Sequence, residues 1–191
     1  MFGGPLPDGV TRTVSWSRKG SRVDYASTLR DRDDTNIGQA IRTLHLDGKF
    51  GPEMEHTSMK VDRDWQGKGI ASALNAQAEK VYREIGVKRI TVHAVSDPPS
   101  GYVGGYVWAR RGYTWANPET AGRIADRIEG LSRIHGDPGR DVLDAIKGLR
   151  SGKLETMPTP WDISELRGNY GDGRIGRAAL LESVWDGVRW L

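Results

Sequence analysis

Cysteine is absent from this chain of 191 residues, which excludes disulfides, cysteine metal ligands and a cysteine nucleophile. Long apolar runs are also absent, and none approaches the roughly 18 residues that a membrane helix needs. The first residues lack a basic start followed by an apolar stretch, so we expect no secretion signal. These absences favour a cytoplasmic protein without a membrane partner.

Histidine clusters and charge of one dominant sign are missing too. His45 and His135 have no partners at ligand spacing, so we expect no metal site. The net charge of +3 and the pI near 9.2 fit an anionic cofactor or nucleic acid, but they also fit simple solubility. Acidic residues interleave with basic ones, as over residues 30–34, so no concentrated basic stripe supports a nucleic-acid binder. Nucleic-acid binding is therefore the third of three hypotheses.

What is present in the first part of the chain is a mixture of strands and one amphipathic helix. Runs rich in β-favouring residues predict strands over residues 10–17, 22–29, 40–46, 57–61, 87–95 and 112–115. An apolar residue recurs every three or four positions over residues 70–85, which predicts a helix that Gly86 ends. Residues 102–111 predict a further short helix.

From Asn117 onward the composition changes to that of helices. Asn117 is a capping residue that precedes Pro118, and Asp162 with Glu165 has the spacing of a capping box in which Asp162 is the cap. A final helical face is predicted from four residues: Ala178, Leu181, Trp185 and Val188. The sequence therefore predicts an α+β core over residues 1–116 and a helical extension over residues 117–191 that packs on it.

The most informative motif is a glycine-rich corner, Gln66-Gly67-Lys68-Gly69-Ile70-Ala71, between a predicted strand and the predicted helix. The first N–H groups of a helix have no partner inside it, and the helix dipole adds partial positive charge there. Glycines in the corner allow a phosphate to approach the backbone. Gly67-Lys68 is not followed by Ser or Thr, which excludes a Walker loop, and no third glycine completes a Rossmann fingerprint.

The context of this corner resembles the GNAT N-acetyltransferase superfamily over roughly residues 40–115. In that family the pattern Gln/Arg-x-x-Gly-x-Gly/Ala holds the pyrophosphate of acetyl-CoA, and it maps onto Gln66, Gly69 and Ala71, with Gly67, Lys68 and Ile70 between them. Val61, with Met59 before it, then ends the strand whose backbone contacts the pantetheine arm. The resemblance implies a mixed, mostly antiparallel sheet with a splayed central strand pair and acetyl-CoA as the acyl donor.

The second family element, aromatic-x-x-x-Gly-aromatic, maps onto Trp108 to Gly112-Tyr113 and departs from the usual residues. The family often has tyrosine at the position of Trp108 as the acid that protonates the departing thiolate, and indole has no such proton to give. Tyr106 or Tyr102 is the substitute candidate. The asparagine usual seven residues earlier is Gly101.

A third departure concerns the acceptor side. The two helices that normally lie between the first two strands are missing from the pattern. Their loss suggests an open groove for a peptide, a protein or another bulky acceptor, or a wall supplied by the C-terminal extension.

The chemistry that the resemblance implies needs a base, because an amine must lose a proton before it attacks the thioester. Glu53, Glu55 and His56 precede the fourth predicted strand and are the candidates. If the strand is regular, Glu55 lies on the face of Thr57, Met59 and Val61, with His56 opposite. Glu55 is therefore the favoured base, and His56 is expected at the surface. A backbone N–H near Met59 or Lys60 would hold the oxyanion.

The leading hypothesis is an N-acyltransferase that moves an acetyl or short acyl group from coenzyme A to a primary amine, on a peptide or protein, by direct transfer. The alternative is a coenzyme A-binding module of the same fold with weak catalysis, which Trp108 and Gly101 favour. The sequence does not distinguish the acceptor.

Overall fold

The computed structural model describes residues 6–97, 102–136 and 138–191, without the side chains of residues 97 and 102. The strands are β1 Thr11–Lys19, β2 Arg22–Arg30, β3 Asn36–His45, β4 Glu53–Val61, β5 Arg89–Asp97, β6 Tyr102–Val103, β7 Thr114–Trp115 and β8 Val184–Trp190. The helices are α1 Ile70–Glu84, α2 Gly104–Arg110, α3 Pro118–His135, α4 Arg140–Leu149, α5 Pro160–Glu165 and α6 Ile175–Leu181. None of the described helices has the length and apolar character that crossing a membrane requires.

The chain forms two compact units, Met1–Thr91 with Trp190–Leu191, and Val92–Arg189. The units divide within β5, whereas composition predicts a change near residue 116. The division into a core over residues 1–116 and an extension over residues 117–191 stays a prediction. The mixed α+β class and the mostly antiparallel sheet are confirmed, since the pairs β1–β2, β2–β3, β3–β4, β5–β6 and β7–β8 all run antiparallel.

The first unit is built on the meander β1-β2-β3-β4. β1 and β2 are joined by Gly20 and Ser21 alone, and the φ of +61° at Gly20 fits the first central position of a type II′ turn. As predicted from the sequence, no helix lies between β1 and β2. α1 buries the side chains of Ile70, Leu74 and Ala78.

Sequence pattern explains α1 well. Its apolar residues follow the period of 3.6, and Ile70 and Leu74 join Leu29 and Ile37 in a buried cluster. Full burial of such a side chain contributes roughly 1.5 to 3 kcal/mol to folding. The helix prediction is confirmed within one residue at each end, and the start of α1 is fixed in the core.

The second unit contains the strands in the order β5-β8-β7 and the remaining helices. Asn117 caps α3 as predicted: its side chain accepts a hydrogen bond of 2.9 Å from the N–H of Thr120, and Pro118 is the first helical residue. The predicted cap of α5 is wrong. Thr159 is the cap and Asp162 occupies the third position, so the box lies three residues earlier than predicted.

The predicted final helix is also wrong over its second half. α6 ends at Leu181, and Trp185 and Val188 lie in β8. Trp185 is fully buried, its indole N–H donates to the Gly105 carbonyl at 3.1 Å, and its ring lies 5.1 Å from that of Trp115. These contacts to distant parts of the chain favour a strand over the helical spacing of the apolar residues.

Candidate functional site

The glycine corner is a bend between β4 and α1 that is fastened at both ends. The side-chain amide of Gln66 donates a hydrogen bond of 2.9 Å to the Val61 carbonyl at the end of β4. On the other side, Ile70 is buried and anchors the first turn of α1. A short 3-10 turn, Arg63–Trp65, precedes the bend. The backbone of residues 66–70 is therefore held in place while Gln66, Gly67, Lys68 and Gly69 stay exposed.

Gly67 and Gly69 give the bend its shape. Their φ values of +76° and +79° lie in the region that favours glycine, and a Cβ at either position would meet no atom within 4 Å. Gly69 is the N-cap of α1, and no side chain caps the helix. The bend thus presents helix amides beside open space, which is the geometry of an anion site.

Lys68 adds a positive charge at the same place. Its ammonium lies 4.2 Å from the centroid of the Trp65 ring, within cation–π distance. This contact holds the charge beside the bend. Ala71, the last residue of the motif, is half-buried in the first turn of α1.

A β-bulge in β4 corrects the expected faces of the strand. Ile41 pairs with Ser58 and Arg42 pairs with His56, so Thr57 is an extra residue that has no partner in β3. The bulge reverses the alternation, and His56 shares a face with Met59 and Val61. Glu55 lies on the opposite face, where regular alternation predicted His56.

His56 is buried, contrary to the expectation of a surface histidine. Its Nε2 lies 3.2 Å from the Tyr82 hydroxyl. Burial raises the pKa of Tyr82 to about 12, with the nearby Arg42 acting in the opposite sense. Arg42 is buried as well, and its guanidinium donates to Asn75 of α1 at 2.8 Å. This polar cluster joins the sheet to α1.

Glu55 lies half-exposed on the other face, with its carboxylate 3.2 Å from His45 Nε2. Asp24 of β2, Thr43 of β3 and Glu55 of β4 pair in register and form one row across the sheet. The Thr43 hydroxyl donates to Asp24 at 2.7 Å, and this bond, followed by the one from Arg22, lowers the pKa of Asp24. Two carboxylates therefore flank a hydroxyl on this face.

The candidate acids belong to the second unit. Tyr106 is half-buried in α2, with the Arg177 guanidinium 5.5 Å from its ring centroid. Trp108 is buried and its ring lies edge-on to Tyr113 at 5.2 Å. The side chain of Tyr102 and the whole of Gly101 lie outside the described residues.

The structure thus brings Glu55, Met59, Val61 and residues 66–71 into one unit. Met59 and Val61 pack half-buried against the cluster of Leu29, Ile37, Ile70 and Leu74. Sequence reasoning missed the contact of Glu55 with His45 and the stacking of Lys68 on Trp65. Only the second had a local signal, because the two residues are three positions apart.

Residues 9–100 match the family model described as Acetyltransferase (GNAT) family. The chain contains a GNAT acetyltransferase domain. The match covers β1 to β5 and the bend at residues 66–71, so the resemblance seen in the sequence is confirmed at the level of the family. No curated protein matches the chain.

Solved structures similar to the GNAT domain include Naa50 of Arabidopsis thaliana in complex with the bisubstrate analogue CoA-Ac-MVNAL. Its sequence is 13% identical, the match covers 48% of this chain and 58% of that chain, and the TM-score is 0.39. An aminoglycoside acetyltransferase from an uncultured soil metagenomic sample, in complex with sisomicin, has 19% identity, 45% and 55% coverage and a TM-score of 0.36. A GNAT family acetyltransferase of Elizabethkingia anophelis with acetyl-CoA bound has 14% identity, 58% and 79% coverage and a TM-score of 0.37. The chain spans less than two thirds of the first two structures, and at these TM-scores the family assignment rests on the family model.

Proposed function

We propose that the protein is an N-acyltransferase that moves an acetyl or short acyl group from coenzyme A to a primary amine by direct transfer. The observation that carries this proposal is the fastened, uncapped glycine bend at residues 66–71 inside a GNAT domain. An anion gripped there would fix one end of the cofactor. The thioester would then be presented along β4.

The binding roles follow from the geometry of the bend. The amides of Gly67, Lys68, Gly69, Ile70 and Ala71 would hold the diphosphate of acetyl-CoA. Ile70 contributes through its N–H alone, because its side chain lies in the core. Gln66 positions the bend through its bond to Val61. The backbone of Met59 and Val61 would contact the pantetheine arm.

The reaction needs three further groups. Glu55 would take the proton of the acceptor ammonium, the free amine would attack the thioester carbon, and an N–H at Met59 or Lys60 would stabilise the oxyanion. The C–N bond forms, the C–S bond breaks, and the coenzyme A thiolate would take a proton from Tyr106 or Tyr102. The amine nitrogen would lose its second proton through solvent, and that proton would restore the tyrosine hydroxyl. No covalent enzyme intermediate is required.

For the acceptor, we favour a cationic amine on a peptide or protein. The link between β1 and β2 is only two residues, so no helix from that link covers the sheet. The row of Asp24, Thr43 and Glu55 leaves both carboxylates 40% or more exposed, at 40% and 44%. Carboxylates at an open surface favour an ammonium group over an anionic acceptor.

The alternative is a GNAT domain that binds coenzyme A with weak catalysis, and buried Trp108 at the usual tyrosine position favours it. Nucleic-acid binding stays the third hypothesis and gains no specific observation. The cytoplasmic location stays a prediction.

The discriminating experiment measures coenzyme A thiol release with a panel of amine-bearing peptides and small amines. We expect acetyl-CoA-dependent release that Glu55→Gln lowers by about 10²- to 10⁴-fold, the range for loss of a general base. Glu84→Gln, a change of the same chemistry at the exposed end of α1, should leave the rate unchanged. Cofactor binding without release from any amine would favour the weakly catalytic module.

A further inference from the structure

β1 is an edge strand with an unusual distribution of side chains. Its one neighbour among the described strands is β2, to which all nine of its residues are paired. Arg12, Val14, Trp16 and Arg18 alternate onto one face of the strand, and Trp16 is 68% exposed. Edge strands are usually protected from pairing with other chains by charges or proline. An exposed tryptophan at the centre of the strand is not expected if β1 is only protected in this way.

The backbone of this edge is ready to pair. The residues that flank a two-residue hairpin turn, Lys19 and Arg22, form a hydrogen-bonded pair, and the pattern alternates along the strands. The N–H and C=O groups of Arg18, Trp16, Val14 and Arg12 therefore face away from β2. An extended segment can add to them as a further antiparallel strand.

The charge of the edge selects the partner. Among the described residues, neither Arg12, Arg18 nor Lys19 forms an ion pair with a carboxylate, and β1 contains no acidic residue. Burial and, after it, the nearby Arg42 lower the pKa of Arg12, so a like charge acts on Arg12 across the sheet. An incoming carboxylate would relieve this repulsion.

A second copy of the chain is disfavoured on the same edge in the register that pairs Val14 with Trp16. Antiparallel pairing that matches Val14 of one copy with Trp16 of the other also places Arg12 opposite Arg18. Like charges directly opposite in a sheet are destabilising. We propose that β1 binds an acidic extended segment of a partner protein by strand addition, with two apolar side chains over Val14 and Trp16 and flanking carboxylates on Arg12 and Arg18. This inference is independent of the acyltransferase activity.

The test uses a labelled nine-residue peptide, Thr-Glu-Thr-Val-Thr-Val-Thr-Glu-Thr, and fluorescence anisotropy with the full chain. We expect saturable binding that weakens with added salt and becomes at least tenfold weaker when lysine replaces both glutamates. The protein variant Arg12→Glu/Arg18→Glu should reverse this preference. Lys19→Glu, on the opposite face of the same strand, should change the affinity less than threefold.

Backbone pairing is tested separately from charge. N-methylation of the two valines, whose N–H groups face β1 in antiparallel addition, should abolish binding, and N-methylation of the central threonine should preserve it. Hydrogen exchange at the Val14 and Trp16 amides should slow at least tenfold with peptide. Equal binding of the glutamate and lysine peptides, or of both methylated peptides, would overturn the proposal. Absence of binding would also overturn the proposal and would mean that the arginines only protect the edge.

Discussion

Gly69 is the residue on which the proposed cofactor site most depends. It has a φ of +79° and precedes the first turn of α1, with open space where a Cβ would stand. Gly69→Glu would place a carboxylate where the diphosphate is proposed to bind. We expect this variant to lose the rise in melting temperature that acetyl-CoA causes in the wild type, measured by differential scanning fluorimetry.

Gly86→Glu is the matched control, because Gly86 has a φ of +81° and equally open space at the other end of α1. Both substitutions carry the same kind of backbone strain, so both should lower the melting temperature without ligand. Only Gly69→Glu should remove the response to ligand. An equal response in the two variants would refute the placement of the site.

Gln66 has a positioning role that the structure makes specific. Gln66→Ala removes the 2.9 Å bond to Val61 and frees the bend from β4. We expect the Kd for acetyl-CoA to rise about tenfold, equivalent to about 1.4 kcal/mol, by isothermal titration calorimetry. Gln77→Ala, two turns into α1, should leave the Kd within twofold. An unchanged Kd for Gln66→Ala would mean that the bend holds its shape without this bond.

At the residue scale, sequence predicted the bend but not the faces of β4. The bend depends on glycines and a helix start within six residues, and short-range signals of this kind are visible in a sequence. The bulge at Thr57 arises from pairing with β3, so no residue near Glu55 or His56 in the sequence indicates it. Alternation therefore assigned the two side chains to the wrong faces.

At the scale of elements, the same contrast separates α1 from β8. α1 was predictable because its apolar residues follow the helical period on one face. Trp185 and Val188 are three residues apart and also satisfy that period, but α6 stops before them. Their strand is stabilised by pairing with β7 and by the bond from Trp185 to Gly105, which are contacts between distant residues.

Packing of α2 in the second unit gives a prediction at this scale. Gly105 of α2 has no room for a side chain, since a Cβ would lie 2.2 Å from the Leu180 carbonyl oxygen. Gly105→Ala should lower the free energy of unfolding by about 1 to 3 kcal/mol, the usual cost of overpacking. Urea denaturation followed by circular dichroism measures it.

Gly122 provides the comparison, because it lies in α3 with nothing within 4 Å of its Cβ position. Gly122→Ala should raise the free energy of unfolding by about 0.5 to 1 kcal/mol, since alanine is the better helix former. Stabilisation by both alanine substitutions would contradict the close approach of α2 to α6 at Gly105.

At the scale of the whole molecule, the buried cluster of Tyr82 predicts how stability depends on pH. Its pKa of about 12 in the folded protein lies above the usual value of about 10 expected when the chain is unfolded. The neutral hydroxyl therefore stabilises the fold fully below pH 10, and the contribution is lost as the pH rises from 10 to 12. The loss is about 2 to 3 kcal/mol in this window.

Denaturation of Tyr82→Phe across the same window checks this expectation. The variant should be less stable at neutral pH, because it loses the hydroxyl that lies against His56, and its stability should fall less between pH 10 and 12. Tyr170→Phe, in the loop before α6, should keep the wild-type slope. Identical slopes for Tyr82→Phe and the wild type would contradict the burial of a neutral Tyr82.

Composition did not predict the boundary between the two compact units. The structure has the predicted change from strands to helices near residue 117, since α3 begins at Pro118. The two compact units nevertheless divide after Thr91, and the last two residues of the chain belong to the first unit. The N–H of Leu191 donates to the Lys88 carbonyl at 3.1 Å, a contact across about a hundred residues that no local pattern encodes.

The most direct test of the central claim compares acetyl-CoA with S-acetylpantetheine, which carries the same thioester arm without the diphosphate. At a hundredfold excess over its Kd, acetyl-CoA should stabilise the protein by about 2.7 kcal/mol and raise its melting temperature by roughly 5 to 10 °C. S-acetylpantetheine at the same concentration should raise it by less than about 1 °C, because the grip of the bend on the diphosphate is lost. No rise with saturating acetyl-CoA, or an equal rise with both compounds, would contradict the account.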